Sequence, residues 1–194
     1  RYSVVRRAGE APSGLDPRFG AIERRYRYRI AAPEAARAPL RRHDTVWWRR
    51  PLDVAAMDEA ARGLLGLRDF AAFCKQREGA TTIRTLLEFA WRRLDDGVLE
   101  ATVRADAFCH SMVRSLVGSA VAVGEGRRAL DWPIRLQERG VRASEVYVMP
   151  AHGLSLEEVV YPPDDELAAR ALAARARRDV PAGAPGDKVG PSPV

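Results

Sequence analysis

The sequence predicts an α+β fold, an antiparallel sheet with helices on one side, and three observations carry that expectation. Residues 24–30 alternate apolar and charged side chains with the period of a strand. Residues 82–104 do the same on either side of a D-D-G turn, which reads as a β-hairpin. Met112, Val113, Leu116, Val117, Ala120 and Val121 instead recur at helical spacing. Hairpins in mixed order with helices, and no regular β-α-β crossovers, argue for an antiparallel sheet. The length of 194 residues suits one good core or two small subdomains, and 46% apolar with 30% charged residues is ordinary globular composition.

The elements follow in order. Residues 2–6 form a short β-like run, which the turn-rich G-E-A-P-S-G-L-D-P from Gly9 cannot continue. In R-R-Y-R-Y-R-I, residues 24–30, a strand puts Tyr26, Tyr28 and Ile30 on one face and Arg25, Arg27 and Arg29 on the other. Three arginines on one face can track a phosphate backbone, while a tyrosine opposite them either fills a core or stacks on a base. After a loop at 33–42, Trp47 and Trp48 read as anchors between loop and core. Asp53 is placed as an N-cap, with Val54, Met57, Ala61 and Leu64 forming the apolar stripe of a helix that Gly66 ends.

In the hairpin, Ile83, Leu87, Phe89 and Trp91 share one face of residues 82–94, and residues 98–104 return to deliver the chain into the central helix. That helix ends near Gly124 and Gly126. A short helix at 132–139 and a last strand at 154–161 follow. Asp164, Asp165 and Glu166 open a polar helix that Arg175, Arg177 and Arg178 close, each sign where the helix dipole favours it. The remainder has the composition of a disordered tail.

The central helix contains the most informative single residue. Arg114 sits beside the apolar stripe, with Ser111 and Gly118 three and four residues away. A guanidinium at the edge of a core requires a partner, and a carboxylate or phosphate fits its fork best. Two readings stay open on this evidence: a structural salt bridge, or a binding group awaiting an anion. Gly118 has no side chain and lets another backbone come close.

Charge is unevenly spread. The net charge is +6, yet residues 1–50 hold 13 Arg and no Lys against 5 Asp plus Glu, so the positive excess is N-terminal. Such clustering is the footprint of a polyanion ligand, although a GC-rich genome alone would favour Arg over Lys. Cys74 and Cys109 lack any C-x-x-C context and read as separate packing residues, and His43, His110 and His152 are scattered, so no metal ligand set is visible. No apolar run approaches the length of a membrane span, and the first residues lack a signal-peptide core, so the expectation is a cytoplasmic protein with no membrane contact.

Five stretches together resemble the TruA family of tRNA pseudouridine synthases: G-L-D-P-R-F-G-A-I-E-R-R-Y-R-Y from Gly14, D-F-A-A-F from Asp69, I-R-T-L from Ile83, A-D-A-F-C-H-S-M-V-R-S-L-V-G from Ala105, and A-H-G-L-S-L-E-E-V-V-Y-P from Ala151. They occur in the family's order and cover most of residues 14–163. The resemblance implies a pseudouridine synthase fold with an incomplete N-terminal half. Residues 1–50 then close that half with the basic strand, 51–163 form a C-terminal α+β subdomain, 164–178 a C-terminal helix and 179–194 a tail.

The activity implied is isomerisation of uridine to pseudouridine in the anticodon stem-loop of tRNA. The uracil N-glycosidic bond breaks, the base turns, and it rejoins through carbon, with no metal or organic cofactor. The base must leave its stack to be reached. By resemblance, Tyr26 packs on the target uracil and takes the C5 proton, and Arg114 pairs with the nucleophilic aspartate. Leu154 and Leu156 form the apolar wall under the base, and Arg24, Arg25 and Arg27 contact phosphates. The family's aspartate lies in R-T-D-x-G-V-H-A, a string this sequence does not contain, and Asp16, Asp44 and Asp69 stand in other contexts. The expectation is therefore the C-terminal two-thirds of such an enzyme, a homodimer when complete and inactive without the aspartate. The competing expectation is a non-catalytic RNA-binding module. A helix-turn-helix DNA binder is disfavoured because the central helix is too apolar to lie in a groove.

Overall fold

The computed structural model of the chain describes residues 4–17, 19–36, 38–75, 77 and 80–175. A six-stranded sheet is built on β1 (Glu23–Ala31), β2 (Val46–Trp47), β3 (Gly66–Asp69), β4 (Ile83–Arg93), β5 (Leu99–Ala105) and β6 (Leu154–Val160). Its order is β2-β1-β5-β4-β3, with β6 also paired to β1. Every pairing is antiparallel except the short β1–β2 contact, so the sheet is mixed where pure antiparallel order was expected. The α+β class stands. Because β1 lies between β5 and β6, a division of the chain at residue 50 runs through one continuous sheet.

Four helices accompany the sheet: α1 (Val54–Arg62), α2 (Met112–Gly124), α3 (Trp132–Glu138) and α4 (Leu167–Arg175). Tyr28, Ile30, Leu86, Phe89, Leu99, Ala101 and Val103 from the sheet share one buried cluster with Met57 and Ala61 of α1 and Met112, Leu116 and Val117 of α2. The Asp53 carboxylate accepts hydrogen bonds from the Ala55 and Ala56 N–H groups, which caps α1 as expected. At the hairpin, Gly97 has φ +81°, and Leu94 N–H donates to the Val98 carbonyl at 2.8 Å. No helix among the described residues is long and apolar enough to cross a membrane.

Four expectations are corrected. Gly66 does not end α1, which stops at Arg62; it opens β3, a strand of four residues too short to show alternation. Leu87 does not share a face with Phe89, because the β4–β5 register shifts between Leu86 and Glu88. Leu86 is buried in its place and Leu87 is exposed. Cys74 and Cys109 are not separate: their Cα atoms are 5.7 Å apart and the two are joined as a disulfide. Residues 4–6 form no strand, and residues 2 and 3 of that expected run lie outside the described residues. Arg177, Arg178 and the tail from residue 179 also lie outside them.

Candidate uridine site and its charged reverse face

The alternation of β1 sorts its side chains into two environments. Arg24, Tyr26, Tyr28 and Ile30 face the helices, and Arg25, Arg27 and Arg29 face away. On the helix side, Tyr26 stands in register with Val103 of β5 and Leu156 of β6, and Tyr28 with Ala101 and Leu154. Both predicted wall leucines therefore flank the two tyrosines. Leu156 is exposed and Leu154 half-buried, so the wall opens outward. Phe108, in the loop between β5 and α2, meets the Tyr26 ring edge-on with centroids 5.1 Å apart.

Arg114 lies in the first turn of α2, half-buried. Its main-chain carbonyl accepts from Met149 N–H at 3.2 Å, and its Nη1 donates to the Met149 carbonyl at 3.3 Å. Among the described residues it has no ion pair, so no structural salt bridge is formed there, and the other alternative, a binding group awaiting an anion, stays open. The segment it holds is fixed from a second side, since the Tyr28 hydroxyl donates to the Pro150 carbonyl at 2.7 Å. Burial pushes the Tyr28 phenol well above its ordinary range, against the opposing positive charge of Arg114 and with a contribution from Tyr147. That phenol is a neutral donor and a latch.

Gly118 and Gly153 explain how the segment fits. A Cβ at Gly118 would collide with the Tyr147 carbonyl oxygen, and one at Gly153 would stand 2.8 Å from the Tyr28 ring and from Val46. The approach of another backbone to Gly118 is the one the sequence anticipates.

The other face is an ion-pair lattice. Glu100, 3% exposed, receives Arg29 Nε at 2.9 Å, Arg92 Nη2 at 2.6 Å and Arg27 Nε at 3.6 Å. Arg27 also reaches Glu157 at 3.0 Å, and Arg25 reaches Glu158 at 3.1 Å. Arg25 and Arg27 thus stand across the sheet from Tyr26 with their charge already matched by carboxylates. Only Arg24 of the three expected phosphate contacts shares the Tyr26 face. The dismissed aspartates hold structural contacts instead: Asp16 accepts from Phe19 N–H, Asp44 from Thr45 and Arg29, and Asp69 from Ala71 N–H and Thr82.

Sequence reasoning missed Tyr28, Phe108 and Glu100. Tyr28 was detectable as the residue two beyond Tyr26 on the same face, whereas Phe108 and Glu100 acquire meaning only once strand register is known.

Residues 60–162 match the family described as tRNA pseudouridine synthase. The chain is 58% identical over 171 residues to tRNA pseudouridine synthase A of Frankia casuarinae, covering 88% of this chain and 62% of that protein. It is 57% identical to the protein of the same name from Streptomyces avermitilis, covering 89% and 61%. For Leifsonia xyli the identity is 56%, covering 90% and 61%. The chain thus spans about three-fifths of the length of these curated relatives. With the family match reaching from α1 through Arg114 to the wall leucines of β6, the chain belongs to the tRNA pseudouridine synthase family.

Proposed function

We propose that the complete protein isomerises uridine to pseudouridine in the anticodon stem-loop of tRNA, and that this chain supplies the pocket and the arginine that steadies the nucleophile. The single observation that carries the reading is Arg114. It is half-buried beside Tyr28, uses one side-chain hydrogen bond to Met149, and has no carboxylate partner among the described residues. A guanidinium has five N–H donors, so it retains the capacity to clamp an incoming carboxylate in two parallel bonds. An aspartate so held is kept ionised and aimed.

In this reading the target uracil leaves its stack and lies against Tyr26, with Leu154 and Leu156 under it. The aspartate holds the opened intermediate until C5 of the turned base bonds to the ribose carbon and the aspartate is released; the C5 proton then leaves through the Tyr26 oxygen, whose own proton passes to solvent. Arg24, on the pocket face, contacts a phosphate. Arg25 and Arg27 lie across the sheet from that pocket, each with a carboxylate partner. The same reading takes the working enzyme to be a cytoplasmic homodimer.

Pseudouridine formation on unmodified tRNA by the complete protein is the test. Turnover supports the enzyme. Tight, salt-sensitive RNA binding without turnover would favour a non-catalytic RNA-binding module instead.

A further inference from the structure

Tyr147 is 56% exposed at a point where the backbone has little freedom. Its carbonyl rests on Gly118, and two residues later Met149 is bonded to Arg114 through both its N–H and its carbonyl. The next carbonyl, of Pro150, accepts from Tyr28. The ring itself is backed by Trp48, with centroids 6.2 Å apart and planes tilted by 49°. Trp48 is held in turn, since its indole N–H donates to Glu125 at 2.8 Å, and Glu125 is further engaged by Arg50 and Arg127.

A single exposed aromatic residue is ordinary. Here, however, the ring has a fixed backbone and an aromatic support. It also lies beside the position one helical turn along α2 from Arg114. Met149, two residues beyond Tyr147, is bonded to Arg114, so one short segment joins the two. More than half of the residue's surface remains open to solvent.

We propose that Tyr147, seated on Trp48, is a stacking platform for one unpaired nucleobase, a neighbour of the uridine that enters the Tyr26 pocket. This rests on the tRNA-modifying reading above. Withdrawing a base from a stack leaves its neighbour with an uncovered π face, and an aromatic side chain replaces the lost partner whatever the base. A ring whose backbone is already pinned loses little freedom on binding.

The probe is a tRNA anticodon stem-loop carrying 2-aminopurine, in turn, at each position flanking the target uridine, bound to the complete protein. Stacking quenches its fluorescence. Wild type is expected to quench one position, Tyr147→Ala to abolish that quench and weaken binding about tenfold, and Tyr147→Phe to keep both. Tyr147→Leu, which keeps bulk but not the aromatic face, should behave as Tyr147→Ala. Unchanged quenching and affinity in Tyr147→Ala, or wild-type behaviour in Tyr147→Leu, would overturn the platform while leaving the tRNA reading intact. Failure of the complete wild-type protein to bind the stem-loop at all would overturn both.

Discussion

The carbonyl of Tyr147 rests directly on Gly118, so α2 and the segment leading into β6 meet backbone to backbone. Two opposing effects bear on Gly118→Ala. Alanine in a helix interior is favoured over glycine by about 1 kcal/mol. Against this, a Cβ here displaces a main-chain carbonyl that cannot rotate away, and overpacking of that kind costs about 1–3 kcal/mol. Packing should win, giving a lower urea midpoint. A raised midpoint would show that the segment moves aside freely and does not fix Arg114.

Glu100 is the hub of the reverse face, and its titration has a defined sign. Burial pushes its carboxyl up, but hydrogen bonds from Arg92 and Arg29, with their positive charge, hold it below the usual carboxylate range. Its ionised form is thus favoured by folding. The resulting stability is present in full above the unfolded-state value of about 4.3 and is lost as pH falls through the lower folded-state value. Glu100→Gln should therefore be less stable than wild type near neutrality, and the two should converge in acid. The neutral-pH loss should fall below the roughly 3 kcal/mol of a wholly buried pair, because Arg92 is largely exposed. Parallel pH profiles from thermal melts would refute the hub.

These two residues mark how far the sequence could be read. Gly118 was legible because a glycine in an apolar helix beside a charged residue implies a close approach. The two faces of β1 were legible because alternation with period two needs no partner to define it. Glu100 was not, since its value lies in Arg29 and Arg92 standing opposite it, which depends on strand register. Register also defeated the assignment of Leu87, where one extra residue in β4 exchanged it with Leu86. Cys74 and Cys109, 35 residues apart, are brought together by tertiary packing alone. For the candidate site, Arg114 stood out as a cation on an apolar helix, but its bond to Met149 and the Tyr28 latch required the chain to be folded first.

Arg114→Met tests the clamp. Its single side-chain hydrogen bond to Met149 contributes about 1 kcal/mol, so the variant should fold and bind RNA nearly as wild type does. Turnover of the complete protein should fall by about a hundredfold or more, as for loss of a group that steadies developing charge. Lower stability with unchanged activity per folded molecule would make Arg114 a structural residue.

Tyr26→Phe keeps the ring that meets Phe108 and removes only the hydroxyl. Stability and uridine-pocket binding should persist, and the product-forming step should slow by about a hundredfold if the phenol takes the C5 proton. Single-turnover kinetics with a bound stem-loop separate binding from chemistry. Wild-type rates would leave Tyr26 as a stacking surface for the base.

The 194-residue chain by itself should not make pseudouridine. The reaction needs a nucleophile to hold the substrate while the glycosidic bond is open, and Arg114 cannot serve because a guanidinium stays protonated. Asp16, Asp44 and Asp69 accept hydrogen bonds from neighbouring backbone or side-chain groups, and none is paired with Arg114. Adding a segment that carries the R-T-D-x-G-V-H-A aspartate, in cis or as a separate chain, should restore turnover. The same segment with that aspartate changed to asparagine should not. Turnover above background by this purified chain on unmodified tRNA would place the nucleophile among its own carboxylates, and would remove the reason for assigning Arg114 to an aspartate supplied from elsewhere.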